Sequence, residues 1–153
     1  MEQHNIDLCL AIKEAVTECI ENMAFMSVDT EFDEPLADNV NEDAVMALIQ
    51  VLEPKAGELR LSMPKKTAAE LAKALFCITD KELSDHLIND LACELLNTIS
   101  GRVMKRVLPA ECLYHLGLPS MAGQSVVELT PPFVNCRFMA DGNILAVMAS
   151  IEV

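Results

Sequence analysis

Ser84–Lys105 reads SDHLINDLACELLNTISGRVMK, and this stretch, with what flanks it, decides the fold. At roughly 100° per residue, Leu87, Ile88, Leu91, Leu95, Ile99 and Val103 fall on or beside one face, the signature of an amphipathic helix. Asp90, Glu94, Asn97 and Gly101 step by four, three and four along roughly the opposite face. Just upstream, Thr79 and Glu82 have the T-x-x-E spacing of a capping box and are predicted to open the helix. Pro109 closes it, since proline cannot continue the hydrogen-bond ladder.

Working outward toward the N-terminus, Thr67 and Glu70 repeat that spacing and predict a shorter helix running to about Phe76. Before it stand two strand-like runs, Ala44–Leu52 (AVMALIQVL) and Glu58–Met63 (ELRLSM), joined by the turn residues Glu53-Pro54-Lys55-Ala56-Gly57, with Pro64 ending the second. From Asn5 to Met26, apolar residues recur at threes and fours through Leu8, Ile12, Ala15, Val16, Cys19 and Met23, predicting a first helix. Ser27–Asn41, with Pro35 and five acids, reads as an irregular connection. Beyond Pro109 come four short apolar runs, Leu113–Leu118, Ser125–Leu129, Phe133–Ala140 and Ile144–Val153. Asp141-Gly142 is a hairpin signal between the last two. Strands therefore come in runs and do not alternate strictly with helices. The expectation is a single α+β domain over residues 1–153, two-layered, with three helices on a mostly antiparallel sheet of about six strands.

The 153 residues include 24 acids against 11 Lys and Arg, a net charge of -13. That balance disfavours nucleic acid and anionic membrane surfaces, both of which recruit Lys and Arg. It favours a partner with a basic patch. No stretch approaches the ~20 apolar residues of a membrane span, and the N-terminus MEQHNIDLCL lacks the basic region of a signal peptide. The six cysteines form no C-x-x-C and mostly sit in apolar patterns, so they read as reduced residues of a cytoplasmic protein.

Several chemistries find no support. Asp29-x-Glu31-x-Asp33 lacks the Gly and the closing acid of a calcium loop, having Glu34 and Val40 in their places. His4, His86 and His115 have no zinc spacing, and no glycine-rich phosphate loop is present. Cys93 abuts Glu94 but reads as a packed thiol, with no histidine near it in sequence to activate it. The nine methionines read mostly as core, with Met104 and Met121 able to face a partner. The Asp90, Glu94, Asn97 stripe remains. On periodicity alone it is what any solvated helix face presents, but a carboxylate and a carboxamide one turn apart can address one external group. Gly101 in the next turn is expected to relieve crowding there.

The segments GELRLSMPKKTAAELAKALF, DHLINDLACELLNTISGRVMKRVL and YHLGLPSMAG together resemble the CheX family of chemotaxis phosphatases, relatives of CheC and FliY. The family pattern is Asp or Ser, three residues, Glu, two residues, Asn, then about 22 residues and Pro. Here it falls on Asp90, Glu94, Asn97 and Pro119, with 21 residues before the proline. The resemblance implies dephosphorylation of the phospho-aspartate of a CheY-like response regulator. In that reading Asn97 positions the attacking water and Glu94 pairs with the regulator's lysine, while Asp90, Gly101 and Pro119 contact the partner. It also implies that the regulator brings its own divalent metal, that this chain needs no cofactor, and that the protein is a homodimer with a single site per chain. Glu14, Glu18 and Glu21 on the first helix have no Asn three residues on. The alternative function on the same fold is a non-catalytic adaptor that binds a receiver domain or a flagellar or signalling component.

Overall fold

The computed structural model describes residues 2–30, 44–122 and 133–152. Its elements are α1 (Glu2–Ala24), β1 (Val28–Asp29), β2 (Ala44–Glu53), β3 (Gly57–Pro64), α2 (Lys65–Phe76), α3 (Asp85–Val107), β4 (His115–Leu116), β5 (Ser120–Met121), β6 (Val134–Ala140) and β7 (Asn143–Ser150). The sheet runs β1-β6-β7-β3-β2-β4, with β5 also pairing β2, and every one of these pairings is antiparallel. The α+β class and the three helices are as expected. Among the described residues the sheet has seven strands, where about six were expected, and three of them are only two residues long. Ser125–Leu129 lies outside the described residues, as does most of the acidic connection before β2.

Alternation sets the two faces of the sheet. Val45, Ala47, Ile49 and Val51 of β2 are buried, and so are Leu145, Val147 and Ala149 of β7 and Val134, Cys136, Phe138 and Ala140 of β6. A period of two puts these residues on one face of the pleat, where they join the buried stripes of the three helices in one core. The β6–β7 turn is Asp141-Gly142, with φ of 46° and 82°. Both residues are left-handed, as a two-residue hairpin of this twist requires.

Helix boundaries differ from the sequence reading where caps were misassigned. α2 starts at Lys65, directly after Pro64, and has no side-chain cap. Thr67 is 3% exposed and belongs to the core, so the Thr67/Glu70 spacing does not open the helix. α3 starts at Asp85, because Ser84 is its cap: the Leu87 N–H donates to Ser84 Oγ at 3.2 Å. Thr79 and Glu82 do bond, Thr79 Oγ1–H donating to Glu82 Oε1 at 3.2 Å, but they form a separate exposed turn. With no apolar face to bury, that turn gains nothing to offset helix nucleation. α1 and α2 both end in left-handed residues that are not glycine, Phe25 (φ 57°) and Cys77 (φ 54°).

α1 and α3 run antiparallel, because Glu14 pairs with Arg106 while Glu18, further along α1, pairs with Arg102. Arg106 Nε–H donates to Glu14 at 3.1 Å, Arg102 Nη1–H to Glu18 at 2.6 Å, and Arg106 also reaches Glu18. Glu14 and Glu18 of α1 are therefore engaged in holding the two helices together.

Candidate functional site

α3 buries Ile88, Leu91, Leu95, Ile99 and Val103 as expected, with Ala92, Leu96 and Met104 widening the buried face. Its far side exposes Asp90, Glu94 and Asn97. These three and Pro119 line one open groove of about 710 Å³. Four residues singled out from sequence thus converge on one place, although Pro119 lies beyond the helix in a separate segment.

That segment is held by the edge of the sheet. The Gly117 N–H donates to the Gln50 carbonyl at 2.8 Å and the Ala122 N–H to the Met46 carbonyl at 2.9 Å. Between them Ser120 and Met121 pair with Leu48 and Ala47 of β2. Met121 then packs toward α3, its Sδ 3.8 Å from the Cys93 thiol. Met104 is fully buried and cannot face a partner, whereas Met121 is half-buried and packs against the core.

The groove has apolar walls that sequence reading did not assign to it. Met23 comes from the end of α1, Leu75 and Phe76 from the end of α2, and Leu87 from the first turn of α3. All are half-buried. Their apolar character at helix ends was visible, but their convergence depends on how the helices pack. Leu87 sits at the margin of the buried stripe, facing the groove. Gly101 is not part of the lining. It faces Tyr114, whose hydroxyl donates to the Gly101 carbonyl at 3.4 Å, and a methyl added there would lie 3.9 Å from that oxygen in ordinary contact. The expected relief of crowding at the groove therefore does not apply to Gly101.

The electrostatics of the groove are one-sided. Asp90 lies 3.3 Å from His86 Nε2, one turn earlier on the same exposed surface. Among the described residues Glu94 makes no ion pair and neither Glu94 nor Asn97 has a side-chain hydrogen bond, so both are free to engage an external group. Burial, then the charge of Asp90, pushes the Cys93 thiol upward, which holds it in the unreactive protonated form. The described lining residues include two carboxylates and no Lys or Arg, and no three-residue cluster of metal-ligating groups exists among the described residues. Such a groove repels a free phosphate.

A family model described as chemotaxis phosphatase CheX matches residues 45–139. No curated protein matches the sequence. Among solved structures, the fold resembles a chemotaxis protein CheX from Desulfovibrio desulfuricans with TM-score 0.75 at 19% identity, covering 95% of this chain and 99% of that one. It resembles a CheX from Vibrio vulnificus with TM-score 0.76 at 12% identity, covering 95% and 97%. It also resembles the CheX-CheY-BeF3-Mg+2 complex from Borrelia burgdorferi with TM-score 0.72 at 16% identity, covering 97% and 99%. Among the described residues, no helix is long and apolar enough to cross a membrane.

Proposed function

This chain belongs to the CheX family of chemotaxis phosphatases, and from that premise we propose that it hydrolyses the phospho-aspartate of a CheY-like response regulator, using Glu94 and Asn97. The observation that carries the reading is the convergence of Asp90, Glu94, Asn97 and Pro119 on one groove, with Glu94 and Asn97 unengaged. Phosphoryl transfer to water asks the protein mainly for positioning and electrostatics. Asn97 is neutral and has both a donor and an acceptor, so it can hold a water in line with the leaving acyl oxygen. Glu94 cannot bind the phosphoryl oxygens, which share its sign. Its carboxylate pairs instead with the lysine of the docked regulator and fixes the approach. The regulator supplies the divalent metal that neutralises charge on the phosphoryl group. Asp90 and Pro119 form the near edges of the docking surface, and the protein acts as a cytoplasmic homodimer.

The reading is tested by following phosphate loss from purified phospho-receivers with and without this protein. Acceleration of at least one receiver's decay supports it. A receiver that binds but decays at its own rate would replace it with the adaptor function.

A further inference from the structure

Away from the groove, Cys9 on α1 and Cys136 on the inner face of β6 stand 127 positions apart in sequence, with their sulfurs 3.1 Å apart. Both are free thiols. A disulfide bond is about 2.05 Å long, so closing one here requires the sulfurs to approach by about 1 Å. The two differ in access: Cys9 is half-buried, whereas Cys136 is 4% exposed.

We propose that Cys9 and Cys136 form an oxidative modification site that a peroxide converts to an intramolecular disulfide. Cys9, the accessible member, attacks the peroxide O–O bond, giving a Cys9 sulfenic acid and one water when the reagent is hydrogen peroxide. The Cys136 sulfur then attacks the Cys9 sulfur. The S–O bond breaks, the S–S bond forms, and the departing hydroxide takes the Cys136 proton as a second water. Each sulfur is oxidised by one electron, and the two peroxide oxygens are reduced to the two waters. Burial, then the hydrogen bond with Cys9, pushes the Cys136 thiol up to about 12. Cys136 therefore stays protonated until the second step, in which its proton passes to the departing hydroxide as the S–S bond forms, and its contact with Cys9 supplies the proximity that step needs. The charge of Lys13, one turn along α1 from Cys9, works weakly in the opposite direction.

The bond ties the first half of α1 to the sheet. Met23, where α1 meets the groove, is roughly 20 Å further along the helix at 1.5 Å per residue. The modification therefore leaves the groove in place and acts on the attachment of α1.

The test uses the full-length protein, reduced and then exposed to a few equivalents of hydrogen peroxide, with free thiols alkylated at intervals. The expected product is a single chain, not cross-linked to another, lighter by two hydrogens before alkylation, with two fewer alkylatable thiols than the six of the reduced chain. It unfolds at a higher temperature than the reduced form, and thiol reductant reverses the shift. Trypsin leaves Cys112 and Cys136 on one fragment, so variants assign the partner. Cys9→Ser and Cys136→Ala each abolish the linked peptide, and Cys112→Ser retains it. A link that survives Cys136→Ala, products limited to sulfinic and sulfonic acids, or cross-links only between chains would overturn the proposal. Cys9→Ser alters a half-buried position, so its result stands even if Cys136→Ala fails to fold.

Discussion

Asn97 and Pro119 line the same groove although one stands on α3 and the other between β4 and β5, beyond the proline that follows the helix. Two separate attachments bring them together. Backbone hydrogen bonds to Met46 and Gln50 fasten the Pro119 segment to the edge of β2, and Met121 packs it toward Cys93 on α3. The polar stripe becomes a recess because this segment, with the ends of α1 and α2, raises walls around it.

Glu94 is exposed and unengaged among the described residues, so removing its carboxylate should leave folding almost unchanged, within about 0.5 kcal/mol. Glu94→Ala is expected to weaken productive docking, and kcat/KM for the regulator should fall while urea unfolding matches the parent. With a net charge of -13, association with a basic regulator face should also slow as salt rises. Ile99, fully buried on the opposite side of α3, is the contrast: Ile99→Ala should cost about 2–5 kcal/mol. If Glu94→Ala unfolded the protein to that degree, the carboxylate would be structural.

The α1–α3 clamp gives a pH dependence of definite sign. Hydrogen bonding from Arg106, with further help from Arg102, holds the Glu18 carboxyl below its ordinary value of 4.5 despite some desolvation. A carboxylate with a depressed folded-state value contributes stability that is complete above the ordinary value and is lost as pH falls through the folded one. Glu18→Gln should therefore be less stable than the parent at neutral pH, and the gap should close below pH 4.5. Denaturant midpoints for both proteins across that range check this, and a gap that ignores pH would assign the effect to packing.

Cys77 ends α2 in the left-handed region with φ 54° and ψ 46°. A side chain there costs on the order of 1 kcal/mol that glycine does not incur. Cys77→Gly should raise stability by up to about 0.5 kcal/mol once the extra chain entropy of glycine is set against it. Thermal unfolding provides the reading.

The proposed homodimer makes a simple expectation. Light scattering at tens of micromolar, an order-of-magnitude working range for such contacts, should give twice the 16.8 kDa of one chain. A single-chain mass there would remove the dimer from the account.

What could be read from the chain alone was what depends on local pattern. The Leu91, Leu95, Ile99 stripe, the alternation in β2 and the Asp141-Gly142 turn each express one period or one backbone preference, and each appears in the structure. The spacing of Asp90, Glu94 and Asn97 was legible for the same reason, since four and three residues along a helix fix a common face. The misread features depended on competition or on distance. Ser84 displaced Thr79 as the cap because the buried face begins only at Ile88. Phe25 and Cys77 end their helices without the glycine that usually signals such an end. β4 and β5 are strands only because β2 offers them an edge. Met23, Leu75 and Phe76 reach the groove through helix packing, which no window of sequence contains.

The central claim is that Asn97 positions the attacking water, and the direct measurement is the rate of phosphate loss from a phospho-receiver with the parent, Asn97→Ala and Asn97→Asp. Asn97 is exposed on α3, so both variants should fold and bind the receiver much as the parent does. Removal of one positioning group in such a site typically lowers the rate on the order of 10²-fold. Asn97→Ala is expected to lose the acceleration to about that extent. Asn97→Asp, which keeps the size but places a charge beside the phosphoryl group, should fail as well. Parental rates from both variants, with the receiver still bound, would contradict the account and leave Asn97 as part of a solvated helix face.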